Sequence, residues 1–98
     1  MQSIISPLPP TVQQRLTLLY ETHRVAPHKR RLLRYLAMNP HARTSEIARG
    51  ASVGYPPSPI RQLNFRLLPD VGLTIKRIQE GSSRAAECRW LLAKSIES

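Results

Sequence analysis

Between Ser58 and Leu68 the chain reads SPIRQLNFRLL. Ile60, Leu63 and Leu67 recur there at helical spacing. At about 100° per residue, Arg61, Gln62, Phe65 and Arg66 fall away from that apolar stripe. Arginine and glutamine both present planar groups for paired hydrogen bonds. Phe65 points most directly away from the stripe, where packing on the C-terminal hairpin or on a partner would cover its ring. Ser58 before Pro59 reads as an N-cap followed by a first-turn proline. Its hydroxyl and free backbone N–H groups would suit a phosphate.

Other cations group in ways that suit a polyanion. Lys29, Arg30 and Arg31 crowd the first turn of a helix opening at Pro27, where the helix dipole disfavours each by a few tenths to ~1 kcal/mol. A phosphate backbone would relieve that repulsion, although solvation alone is the ordinary fate of such a cluster. Arg43, Lys76 and Arg77 are further candidates, and Ser82, Ser83 and Arg84 form a polar tip between two strand-like segments. Contacts of this type give affinity and register without reading sequence.

Lys and Arg number 15 against 6 Asp and Glu, a formal charge of +9 with a pI near 11.1. The basic residues recur from Arg15 to Lys94, so the charge belongs to the body of the chain. A field of that sign speeds encounter with polyanions, nucleic acid first, then an anionic membrane or an acidic protein. The acids, Glu21, Glu46, Asp70, Glu80, Glu87 and Glu97, are scattered. No Ser/His/Asp or Cys/His grouping and no glycine-rich phosphate loop appears, so an enzyme is not expected. Cys88 is the single cysteine, which leaves no intramolecular disulfide and fits a reducing, cytoplasmic setting, nucleoid-associated in a bacterium. His23, His28 and His41 lack ligand spacing, and no metal or cofactor is expected. No apolar run reaches the roughly 18–20 residues of a membrane span, and the N-terminus carries no secretory pattern.

The elements that must position these residues follow from period and punctuation. Residues 1–10, with three prolines, read as a flexible arm. Thr11 and Gln14 have capping-box spacing at the head of a helix over about 11–24, with Val12, Leu16, Leu19, Tyr20 and His23 in period. Its wide apolar face would cap a core or contact a second copy in a homodimer. A second helix runs from Pro27 to Met38 on Leu32, Leu33, Tyr35 and Leu36, and Asn39-Pro40 stops it. Thr44 is the expected N-cap of a short helix through about Ala51, with Ile47, Ala48 and Ala51 inward. The turn SVGYPP leads to the Ser58 helix, ending near Leu68. Alternation over 72–76 and again at Cys88, Trp90 and Leu92 predicts two strands, with a bulge or fray at Arg77-Ile78 and a hairpin tip over 80–85. Trp90, in register with Cys88 and Leu92, reads as core rather than as a base-stacking ring. Residues 95–98 are a polar tail. One domain over 11–94 accounts for the whole pattern, mainly α with a C-terminal β-hairpin.

The segment TSEIARGASVGYPPSPIRQLNFRLL, followed by GLTIKRIQEGSSRAAECRWLLA, resembles the winged helix-turn-helix domains of small bacterial, phage and mobile-element regulators. Glu46-Ile47-Ala48 matches their positioning helix. The turn Val53–Pro57 is about two residues longer than the tight form. The resemblance implies that the helix from about Pro59 enters a major groove and that the hairpin lies on the backbone or in a minor groove. In the major groove Arg61, Gln62 and Arg66 would meet base edges (a guanidinium on guanine O6 and N7, a carboxamide on adenine N6 and N7), and Phe65 could meet a thymine methyl. A sequence-specific, double-stranded DNA-binding regulator of transcription is therefore expected. The alternative is a basic winged-helix module that docks on protein, such as a mobile-element inhibitor of host machinery, with Phe65 as its anchor. Double-stranded RNA is less natural, because its deep narrow groove excludes a recognition helix.

Overall fold

The computed structural model describes residues 9–78 and 88–95. They form a mainly helical fold with a small antiparallel sheet toward the C-terminus. Helix α1 spans Val12–Thr22 and α2 spans Pro27–Met38. A two-residue strand, β1 (Ala42–Arg43), leads directly into α3 (Thr44–Gly50). Helix α4 (Pro57–Gln62) continues without interruption through a π turn, Leu63–Leu67, and a 3₁₀ turn, Leu68–Val71. Strands β2 (Leu73–Ile78) and β3 (Arg89–Lys94) follow.

The capping box at the head of α1 is present: the Gln14 N–H donates to Thr11 Oγ1 at 3.0 Å, and Gln14 Oε1 accepts from the Thr11 N–H at 3.4 Å. Leu16 and Leu19 are fully buried, and Val12, Leu18 and Tyr20 pack half-buried beside them. The apolar face of α1 thus covers the core, where it meets Leu32, Leu33 and Leu36 of α2. Each such leucine contributes roughly 1.5–3 kcal/mol by leaving water.

Helix α3 starts differently from its sequence reading. Arg43, still extended in β1, occupies the cap position, and Glu46 Oε1 accepts its backbone N–H at 2.8 Å. Thr44 is the first helical residue, and its hydroxyl accepts the indole N–H of Trp90 at 2.8 Å. Strand pairing takes the role that a side-chain cap would have had. The far end of α3 is closed by Arg31, whose guanidinium donates to the carbonyls of Ala51 (2.9 Å) and Ser52 (3.3 Å).

The sheet order is β1-β3-β2, with β3 central. Pairing of β2 with β3 runs in one register from Leu73–Lys94 to Ile78–Arg89. The expected bulge or fray at Arg77-Ile78 is absent. The alternation fails because Arg77, on the core face like Ile75, stands exposed at the gap between β2 and α4, while the backbone ladder continues. Leu73, Ile75, Cys88, Trp90 and Leu92 are buried, as their alternation requires. The hairpin tip with Ser82, Ser83 and Arg84 lies outside the described residues, as do residues 1–8 of the arm and 96–98 of the tail. The end of the arm that is described is tied down. Arg15 Nε donates to the Pro9 carbonyl at 2.7 Å, and Lys94 Nζ to that of Pro10 at 2.8 Å. No helix among the described residues is long and apolar enough to cross a membrane.

Candidate nucleic-acid interface

Helix α4 begins two residues earlier than its sequence suggests, with Pro56 in the cap position and Pro57 as the first helical residue. Ser58 is therefore inside the first turn and caps nothing. Its N–H donates to the Tyr55 carbonyl at 3.2 Å, and the Ile60 N–H to that of Pro56 at 3.1 Å. Pro57 and Pro59 have no N–H. The start of α4 consequently presents no free backbone donor between Pro57 and Ile60, and the expected phosphate seat built on Ser58 and open N–H groups is not there. The Ser58 side chain itself is exposed.

The inward side of α4 holds Pro59, Ile60 and Leu63 against the core. A regular helix would continue this stripe at Leu67. The π turn, in which the Leu68 N–H reaches the Leu63 carbonyl, adds one residue to the circuit. It buries Leu68 and Val71 instead and leaves Leu67 half-buried. Within the same turn the Asn64 carboxamide pairs with both backbone groups of Ile75. Nδ2 donates to the Ile75 carbonyl at 3.0 Å, and Oδ1 accepts the Ile75 N–H at 2.9 Å. A side chain here substitutes for a neighbouring strand and fixes β2 against α4. Sequence reasoning passed over Asn64. The available signal was a polar residue four positions after Ile60, on the side the stripe assigns to the core.

Arg61, Gln62, Phe65 and Arg66 are all exposed on the outer side of α4, Phe65 at 78%. Neither arginine, nor Gln62, makes a hydrogen bond or ion pair with a described residue. Tyr55, 67% exposed in the turn before α4, extends this face. Lys76 and Arg77 of β2 are likewise exposed and unpaired among the described residues. Alternation places Arg77 on the core side of the sheet, opposite Trp90, and Lys76 on the outer side with Arg43 and Arg89. Arg89 Nη1 donates to the His41 carbonyl at 3.0 Å.

No family model, curated protein or solved structure matches this chain.

The remaining cations divide by what they touch. The guanidinium of Arg30 stacks 4.9 Å from the ring centre of Tyr20. Arg31 is held by the carbonyls of Ala51 and Ser52 just beyond α3, so its guanidinium is turned toward the end of that helix. Lys29 is half-buried and Arg43 exposed. The candidate set therefore falls into the α4 face with Arg77 beside it, the α2 start, and the outer face of the sheet with Lys76 and Arg43. Among the described residues no three or more His, Cys, Asp or Glu side chains gather as metal ligands would.

Proposed function

We propose that this chain is a winged helix-turn-helix protein that binds duplex DNA sequence-specifically, as a transcription regulator, and works by binding rather than catalysis. The observation that carries the reading is the outer face of α4. There Arg61, Gln62, Phe65 and Arg66 stand exposed and without protein partners on a chain of charge +9. The order α2, β1, α3, α4, β2, β3, with β3 central in the sheet, supports the winged form. In it α4 is the recognition helix and the β2–β3 hairpin the wing.

In this reading Gln62 and Arg66 hydrogen-bond base edges in the major groove. Ser58 and Phe65 line the same groove, and Lys76 with the hairpin tip lies on the adjacent backbone or minor groove. Lys29, Arg30 and Arg43 add backbone attraction. A second reading, docking on an acidic protein surface, is favoured by one observation, the exposure of Tyr55 and Phe65 at either end of the α4 face.

Selection from random duplexes, followed by titration of the recovered sequence, separates the two. A recovered motif is expected, with Arg66→Ala flattening discrimination at one base pair by about 1–3 kcal/mol while other positions hold. Absence of duplex binding even at low salt would remove the DNA reading and leave protein docking.

A further inference from the structure

A cleft of about 280 Å³ runs between α4 and β2. Ile60, Ile75 and Trp90 give it an apolar floor, and Arg61 and Arg77 border it from the helix and the strand. Both guanidiniums are exposed and neither has a hydrogen bond or ion pair with a described residue. The gap between them is set by the Asn64 carboxamide, which grips the Ile75 backbone by both its donor and its acceptor. Helix and strand therefore meet at a fixed spacing, with a cation on each lip and hydrocarbon beneath.

We propose that this cleft seats one phosphodiester of the DNA backbone, shared by Arg61 and Arg77. The inference rests on the duplex-binding reading and assigns Arg61 to the backbone rather than to a base edge. An apolar floor lowers the local dielectric, which strengthens the repulsion between the two cations and equally their attraction to an anion between them. The planar guanidinium fork matches phosphate oxygens two at a time. A free inorganic phosphate has nothing to lay on Trp90 and the isoleucines, whereas a phosphodiester brings deoxyribose carbons. Asn64 also lines the cleft, but both ends of its carboxamide are taken by the Ile75 backbone, so it acts as a positioning residue that holds the two lips in place.

The test uses the full chain and its selected duplex, with single neutral methylphosphonates placed at successive positions in each strand. One position is expected to weaken the wild-type complex roughly tenfold, the loss of one charge-assisted hydrogen-bonded contact. On the unmodified duplex Arg61→Ala and Arg77→Ala should each weaken binding. On the duplex neutral at that one position both substitutions should become nearly silent. Inorganic phosphate should neither shift the Trp90 indole resonance saturably nor displace the duplex beyond its ionic-strength effect. Sensitivity of the two variants to different positions, or to none, would overturn the shared phosphate while leaving duplex binding intact. Saturable competition by inorganic phosphate would overturn the diester in favour of a free anion. A wild-type chain that forms no duplex complex at all would overturn the underlying reading, a failure visible before any modified strand is made.

Discussion

Tyr20 shows how much one atom can set. Its hydroxyl is buried with no hydrogen-bond partner among the described residues, although its ring carries the Arg30 guanidinium. Burial pushes the phenol above its ordinary value of 10.0, while the charges of Arg30 and Arg34 pull the other way. The native state thus holds this proton to higher pH than the unfolded chain does. Below the unfolded value both states are protonated and nothing changes with pH. Above it the unfolded chain ionises first, so stability falls as pH rises through the native value. Tyr20→Phe should be neutral or slightly stabilising near pH 7, because a buried hydroxyl without a partner contributes only its desolvation cost. The variant should also lose less stability than wild type above pH ~10. Urea midpoints at the two pH values check this, and an equal alkaline loss in both proteins would count against it. Arg31 teaches the complementary lesson. From its sequence neighbours it belongs to a basic cluster awaiting an anion, yet it closes α3 instead. Nothing local marks that difference, since the carbonyls it serves are about 20 positions away.

Elements were legible where the cause was local and obscure where it was not. The capping box of Thr11 and Gln14, the limits of α2, and the core register of Trp90 and Leu92 all rest on neighbours within a few residues, and the sequence carries them. Strand β1 could not be read that way. Two residues have no period, and Ala42–Arg43 is extended only because β3 lies alongside it, 46 and 48 positions later in the chain. The same distant pairing moved the start of α3 and freed Thr44 for the Trp90 indole. The join of α3 to α2 is also non-local. A methyl at Gly50 would run into the Tyr35 ring. In an exposed helix glycine-to-alanine is favourable by about 0.5–1 kcal/mol, but overpacking at a close approach costs about 1–3 kcal/mol, and the second effect should win. Gly50→Ala is expected to lower stability by that order in chemical denaturation. The penalty should vanish when Tyr35→Ala is already present. Additive effects of the two substitutions would mean that they do not meet.

For the whole molecule the dominant quantity is its charge of +9. Fifteen cations and six acids leave the described surface with several guanidiniums that no carboxylate answers. On the proposed function, binding to duplex DNA should weaken steeply with salt, the logarithm of affinity falling with the logarithm of salt by about 0.9 for each phosphate neutralised. Lys76→Ala, outside the base-reading set, should flatten that slope without altering which sequence is preferred. Titrations of wild type and variant at several salt concentrations measure it, and an unchanged slope would place Lys76 off the interface. Sequence alone gave the sign and size of this charge, but not its arrangement. The folding of β2 against α4 is what brings Arg77 beside Arg61, and that depends on Asn64, a residue with no visible motif.

The π turn bears on how such a chain can change length over generations. Buried positions before and after it, Ile60, Leu63, Leu68 and Val71, are out of step with an ideal helix by a single residue. Loss of one codon at Phe65 or Arg66 would bring them to successive spacings of three, four and three, the stripe of an uninterrupted α-helix. Such a deletion should fold, with helical circular dichroism retained, whereas deleting Gln62 would pull Leu63 out of step with Ile60 and should not. The surplus residue is carried on the outward side, so the chain can gain or lose it there, altering the face it presents while its interior stays in phase.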